Sequence, residues 1–104
     1  MKIQAGEAQA MRPGEMRVFD LAGTPVNVSR VGDAFYAFED RCTHMGCSLA
    51  RGDLEGAIVT CACHGSQFDV TSGAVVRGPA QRPVRAIPLT VEDGAAIADP
   101  GVPR

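Results

Sequence analysis

No stretch of this 104-residue chain approaches the ~20 consecutive apolar residues that a membrane-spanning helix needs. The first seven residues, Met1 to Glu7, hold no apolar core of the kind a secretory leader carries, so the cytoplasm is the expected location. Positive charge is not in excess: ten Lys and Arg face twelve Asp and Glu, a net of −2. That balance leaves no footprint for nucleic acid and no polybasic membrane patch. No internal repeat is present. The length leaves room for one domain spanning 1–104, because halves would be too small to fold alone. A core this small gains from an internal staple. Cysteine and histidine, finally, are missing from everywhere except two short segments.

Those segments are Cys42-Thr43-His44-Met45-Gly46-Cys47 and Cys61-Ala62-Cys63-His64-Gly65-Ser66. Together they hold all four Cys and both His, a ligand inventory gathered at one site. Four cysteines without a leader favour metal binding over a secreted disulfide framework, which would have no use for the histidines. In an extended loop, residues i and i+2 point the same way, so Cys42 and His44 are expected to reach one inorganic body together. Cys61 and His64 follow from the second loop after a tight turn. A zinc ion would take all four ligands as a tetrahedron. A [2Fe-2S] cluster would take two Cys on one iron and two His on the other. A one-residue C-x-H clip is tight for a single ion, so the spacing favours the cluster. A zinc-bound structural or interaction module is the alternative from a different class.

The rest of the chain reads as short strands between turns. Residues 16–20 and 25–31 alternate apolar and polar side chains, the pattern of half-buried strands. Gly23-Thr24 and Gly32-Asp33 mark turns. Residues 34–38, 56–60, 67–70, 85–91 and 95–98 are further strands, the last two joined at Asp93-Gly94. Residues 45–55 have room for one helical turn. The tail 99–104 is expected to be loose. Regular turns and short strands make an all-β sandwich or barrel.

The string CTHMGC…CACHGS is similar to the Rieske pattern C-T-H-x-G-C…C-x-C-H-G-S over both loops. The resemblance covers residues 14–98 and implies an antiparallel β-sandwich base with a small cluster-binding subdomain, about residues 40–70, inserted into it. It implies one Rieske-type [2Fe-2S] cluster per chain. Cys42 and Cys61 would bind one iron; His44 and His64 would bind the other through Nδ1, with Nε2 facing solvent. Imidazole ligation would raise the potential above that of plant-type ferredoxins and couple electron transfer to proton release at higher pH. Cys47 and Cys63 would form a disulfide between the loops; the other reading is two reduced, half-buried thiols. Gly46 and Gly65 fall where the backbone must bend sharply or approach the cluster.

Ser66 matches a serine that donates to a bridging sulfide in high-potential members, and otherwise reads as a turn-capping hydroxyl. Those members carry a tyrosine two positions on; this chain has Phe68, which cannot donate and reads as core. Gly78 to Pro83 resembles the proline loop that covers the cluster from a third side, with Pro79 against the site; a surface turn is the plainer reading. Met45 is either an apolar shield over the first loop or a packing side chain.

With both histidines in the ligand set, no nucleophile–base pair remains, so the chain is expected to be an electron carrier and not itself an enzyme. The resemblance implies a ferredoxin that takes electrons from a flavin-dependent NAD(P)H reductase and passes them to a terminal oxygenase or related oxidoreductase, through transient contacts. A Rieske subunit of a quinol- or arsenite-oxidising complex is the first alternative. A cluster-free regulatory subunit, as seen for nitrite reductases, is disfavoured by the intact ligand positions.

Overall fold

Four residues in the middle of one strand explain how the molecule is layered. The computed structural model describes residues 2–3, 11–21, 23–87, 89–92 and 95–98. The turn expected at Asp93-Gly94 and the loose tail expected over 99–104 lie outside the described residues. Strand β3 (Thr24–Val31) pairs antiparallel with β2 (Met16–Leu21) on one side and β4 (Ala34–Glu39) on the other. Four consecutive residues of β3, Val26 to Ser29, are buried, so both of its faces are covered. The alternating pattern of 25–31 predicted a half-buried strand. The structure differs because the polar face is paid for by hydrogen bonds: Asn27 Nδ2 donates to Asp40 Oδ1 at 3.0 Å and Ser29 Oγ donates to Asn27 Oδ1 at 2.8 Å.

Val26 and Val28 point into one core, with Met11, Ala37 and Ile87. Phe38, on the face shared with Asn27, points into the second. That second core holds Leu49, Val59, Phe68 and Val70 together with Cys42 and Cys61. The two faces of one sheet thus feed two cores, and the second one lies under the cysteine loops. Truncating Phe38, which is fully buried, would cost ~3–5 kcal/mol and remove the floor of both loops.

Three antiparallel sheets result among the described residues. The first has the order β2-β3-β4-β9, with β9 at Ala86–Ile87. The second joins β1 (Lys2–Ile3), β11 (Ala95–Ala98) and β10 (Leu89–Glu92) in the order β1-β11-β10. The third is β5-β6-β7-β8, formed by Asp53–Glu55, Ile58–Thr60, Gln67–Asp69 and Val75–Arg77. It lies wholly between β4 and β9 in the chain, as an insertion into the base. Among the described residues the helical content is a single 3-10 turn at Leu49–Arg51, inside the 45–55 window. The architecture is all-β, as the strand pattern and the resemblance implied.

Some boundaries moved. The run 85–91 is divided between two sheets, with Pro88, which has no N–H to donate, between β9 and β10 in the sequence. Within 56–60, only Ile58–Thr60 is strand, because Gly56 and Ala57 turn the chain out of β5. Thr24 belongs to β3, not to the turn before it.

Candidate metal centre

The two cysteine-containing segments fold into the same loop. In the first, Cys42 N–H donates to the Cys47 carbonyl at 2.8 Å and Gly46 N–H to the Cys42 carbonyl at 2.8 Å. In the second, Cys61 N–H donates to the Ser66 carbonyl at 2.8 Å and Gly65 N–H to the Cys61 carbonyl at 3.1 Å. Gly46 and Gly65 occupy matching places with φ of 78° and 81°, a left-handed conformation that glycine adopts without strain. The first loop is therefore not the extended run expected from the C-x-H spacing; Thr43, His44 and Met45 form a turn. The matching hydrogen bonds make Cys42 equivalent in place to Cys61, His44 to Cys63, Met45 to His64, and Cys47 to Ser66.

Each loop follows a strand, β4 for the first and β6 for the second, and the core beneath holds both. Cys42 and Cys61 are free thiols at the floor, 3% and 2% exposed. His44 and His64 are exposed at the tip, their rings edge to face with centroids 4.9 Å apart. Cys47 and Cys63 are joined as a disulfide that ties one loop to the other across a sequence separation of 16.

A third segment closes the site. Beyond the cis Gly78–Pro79 peptide, Ala80 N–H donates to Ser66 Oγ at 3.0 Å. On the other side, Thr43 Oγ1 donates to the Arg82 carbonyl at 2.7 Å. The proline loop is latched to both cysteine loops, once through each. Ser66 is fully buried and accepts this bond, which leaves its own O–H available to a further acceptor. Thr43, His44, Pro79, Gln81 and Arg82 line a hollow of about 450 Å³ beside the tip. Met45 is 65% exposed, so it packs against nothing in the core. Phe68 is fully buried, the core role its type predicts.

Asp40, which no sequence motif singles out, supports the site. It is 5% exposed. Its Oδ1 accepts from Asn27 Nδ2 and from Ala50 N–H at 2.9 Å, and its Oδ2 accepts from Ser48 Oγ. The carboxylate therefore ties the base sheet to the segment that follows the first loop. Its sequence signal was faint: the polar positions of β3 needed a buried partner, and Asp40 lies just past the next strand.

Four donors of this kind suit a binuclear iron–sulfur group. A single tetrahedral zinc would need ligand atoms no more than ~4.6 Å apart, twice a Zn–S bond. Among the described residues, the ligand atoms that gather within 4.8 Å belong to Cys47, Cys61 and Cys63, and two of these are tied up in the disulfide. What remains is two buried thiols below and two imidazoles above, a donor set whose chemistry would suit two irons.

Comparison with known proteins agrees. A ferredoxin, CarAc of Metapseudomonas resinovorans, is 40% identical over 88 residues, 84% of this chain and 82% of that one. The cytochrome bc1 complex Rieske iron-sulfur subunit of Corynebacterium efficiens is 42% identical over 67 residues, but these are 62% of this chain and only 16% of that one. A chain in a solved complex of reduced oxygenase and oxidized ferredoxin in carbazole 1,9a-dioxygenase superposes with a TM-score of 0.87 at 37% identity, covering 94% of this chain and 90% of that one. The Rieske [2Fe-2S] domain model matches residues 1–88, and with this match the chain belongs to the Rieske [2Fe-2S] family.

Proposed function

We propose that this protein is a ferredoxin: a one-electron carrier, not itself an enzyme, that serves a terminal oxygenase and is supplied by a flavin-dependent NAD(P)H reductase. The cofactor of the family is a Rieske [2Fe-2S] cluster, which supplies reversible one-electron chemistry. Cys42 and Cys61 hold one iron and His44 and His64 the other. Gly65 and Ser66 lie along the second loop, with Met45 and Pro79 at the rim. The cluster-binding subdomain, about residues 40–70, sits in a single domain, 1–104. The place of work is the cytoplasm; no described helix is long and apolar enough to cross a membrane.

The observation that carries this reading is the vertical order of the donors. The thiols are buried in a core of Phe, Leu and Val side chains, which keeps water from them. The imidazoles stand exposed, so an electron has a short way out on that side and none through the base. The Cys47–Cys63 bond holds the two loops together, and the Ser66–Ala80 bond keeps the third loop over them. Ser66 has a hydroxyl proton free to donate, which would stabilise negative charge on a nearby sulfur.

The ferredoxin likeness spans most of both chains, whereas the likeness to the quinol-oxidising subunit spans a small part of that protein. Phe68, a hydrocarbon where a donor would raise the potential, favours the ferredoxin reading too. The test is reconstitution: the purified iron-loaded protein should be reduced by NADH through a flavin reductase and reoxidised by an oxygenase with bound substrate. A protein that carries zinc, or that no reductase of this class reduces, would sink the proposal.

A further inference from the structure

Charge is divided unevenly along this chain. Residues 40–85 carry five Arg, no Lys, and four acidic residues, a net of +1 in a protein whose total is −2. Two of those acids are engaged: Asp40 is buried among Asn27, Ser48 and Ala50, and Asp69 accepts from Thr71. Only Asp53 and Glu55 remain exposed. Glu55 pairs with Ile58 at the end of the third sheet away from the loops, while Asp53 pairs with Thr60 at the loop end.

Three exposed guanidiniums, those of Arg51, Arg77 and Arg82, fall at the loop end. Arg77 lies opposite Gln67, the residue after Ser66. Arg51 precedes Gly52, which packs against the backbone of Thr60 and Ala62 at the mouth of the second loop. Arg82 lines the hollow beside His44, on a backbone pinned by Thr43. Among the described residues, none of these three side chains has an ion pair or hydrogen bond. Arg30, in the base, is by contrast held by Asp33, by the carbonyls of Met11 and Gly32, and by the ring of Phe35. Met45, in the turn of the first loop, and Val76, next to Arg77 on β8, are 65% and 52% exposed. Exposed apolar side chains together with arginine and no lysine are the composition of a protein-binding face.

We propose that the histidine end docks an acidic face of its electron-transfer partner, and that Arg82 receives a partner carboxylate in the hollow beside His44. This rests on the electron-carrier reading and adds the partner's chemistry to it. The guanidinium fork matches a carboxylate with two parallel hydrogen bonds. The local field would orient the partner towards the imidazoles even though the whole protein is anionic.

Small redox probes separate local from total charge. One electron passes from the reduced iron-loaded protein to hexacyanoferrate(III), giving hexacyanoferrate(II); tris(phenanthroline)cobalt(III) is the cationic counterpart. The rate with the anion should fall about threefold or more between about 10 and 150 mM salt, as the screening length shrinks from ~30 to ~8 Å. Arg82→Glu should slow the anion, speed the cation and flatten the salt dependence, with the visible spectrum intact. Arg12→Glu makes the same charge change in the loop before β2 and should leave both rates near the parent values. A rate with the anion that rises with salt, or equal effects of the two variants, overturns this inference alone. A protein without a reducible iron–sulfur spectrum overturns the electron-carrier reading and this inference with it.

Discussion

The loops 42–47 and 61–66 share a backbone and divide the labour of their side chains. Both open with a buried cysteine, both close through the same pair of hydrogen bonds, and both need a left-handed glycine in fifth place. Every other position differs. The first loop carries its histidine third and the second carries it fourth. The disulfide leaves the first loop from its last residue and enters the second at its third. The last residue of the second loop, Ser66, is free to hold the proline loop instead. The backbone template thus sets where a group can be bound, and the side chains that differ set how the three segments are tied together.

Removing what the loops share should do the most damage. Cys42→Ser and Cys61→Ser should each abolish the iron–sulfur spectrum, and to the same degree, since the two positions are equivalent; iron and labile-sulfide analysis of the purified variants checks this. Unequal loss would mean that the two floors are not alike. Next comes the link between loops. The double variant Cys47→Ala with Cys63→Ala should lower unfolding stability by ~2–4 kcal/mol, measured by denaturant titration, because the tie closes a loop of 16 residues. A change under half that size would mean that the core beneath already holds the loops in register.

The two latches on the proline loop should then separate. Ser66→Ala removes a fully buried acceptor from Ala80 N–H and should cost ~1–3 kcal/mol. Thr43→Val removes an exposed bond to the Arg82 carbonyl and should cost ~1 kcal/mol or less. Thermal melts of both variants decide whether burial ranks the latches this way. The smallest effect lies outside the loops. Glu15 is held below its ordinary value near 4.5, first by the side-chain hydrogen bond from Arg17 and then by the backbone N–H of Arg12. A depressed carboxyl contributes stability above its unfolded value and loses it as pH falls through the folded one. Glu15→Gln should therefore melt slightly lower than the parent at pH 7 and equal to it well below pH 4.5.

Much of this was legible in the residues. The strands expected at 16–20 and 25–31 from alternation, and at 34–38 after the turn at Gly32-Asp33, fall within one residue of the observed bounds. The loops announce themselves through the spacing of Cys, His and Gly. Lys2–Ile3, Asp53–Glu55 and Val75–Arg77 were not legible as strands, because segments of two or three residues carry no period. Nor was the burial of Asn27 and Ser29, since alternation alone cannot tell a solvent face from a hydrogen-bonded one. The symmetry of the loops was hidden for a related reason. It lives in backbone hydrogen bonds, while the side chains that draw the eye fall out of step by one residue.

Nitrogen hyperfine coupling in the reduced protein, grown with 15N-labelled histidine, tests the division of donors most directly. The structure predicts coupling from two histidine nitrogens, lost when His44 or His64 is replaced. An iron–sulfur signal with no histidine coupling, or a colourless protein with one zinc per chain, would contradict it.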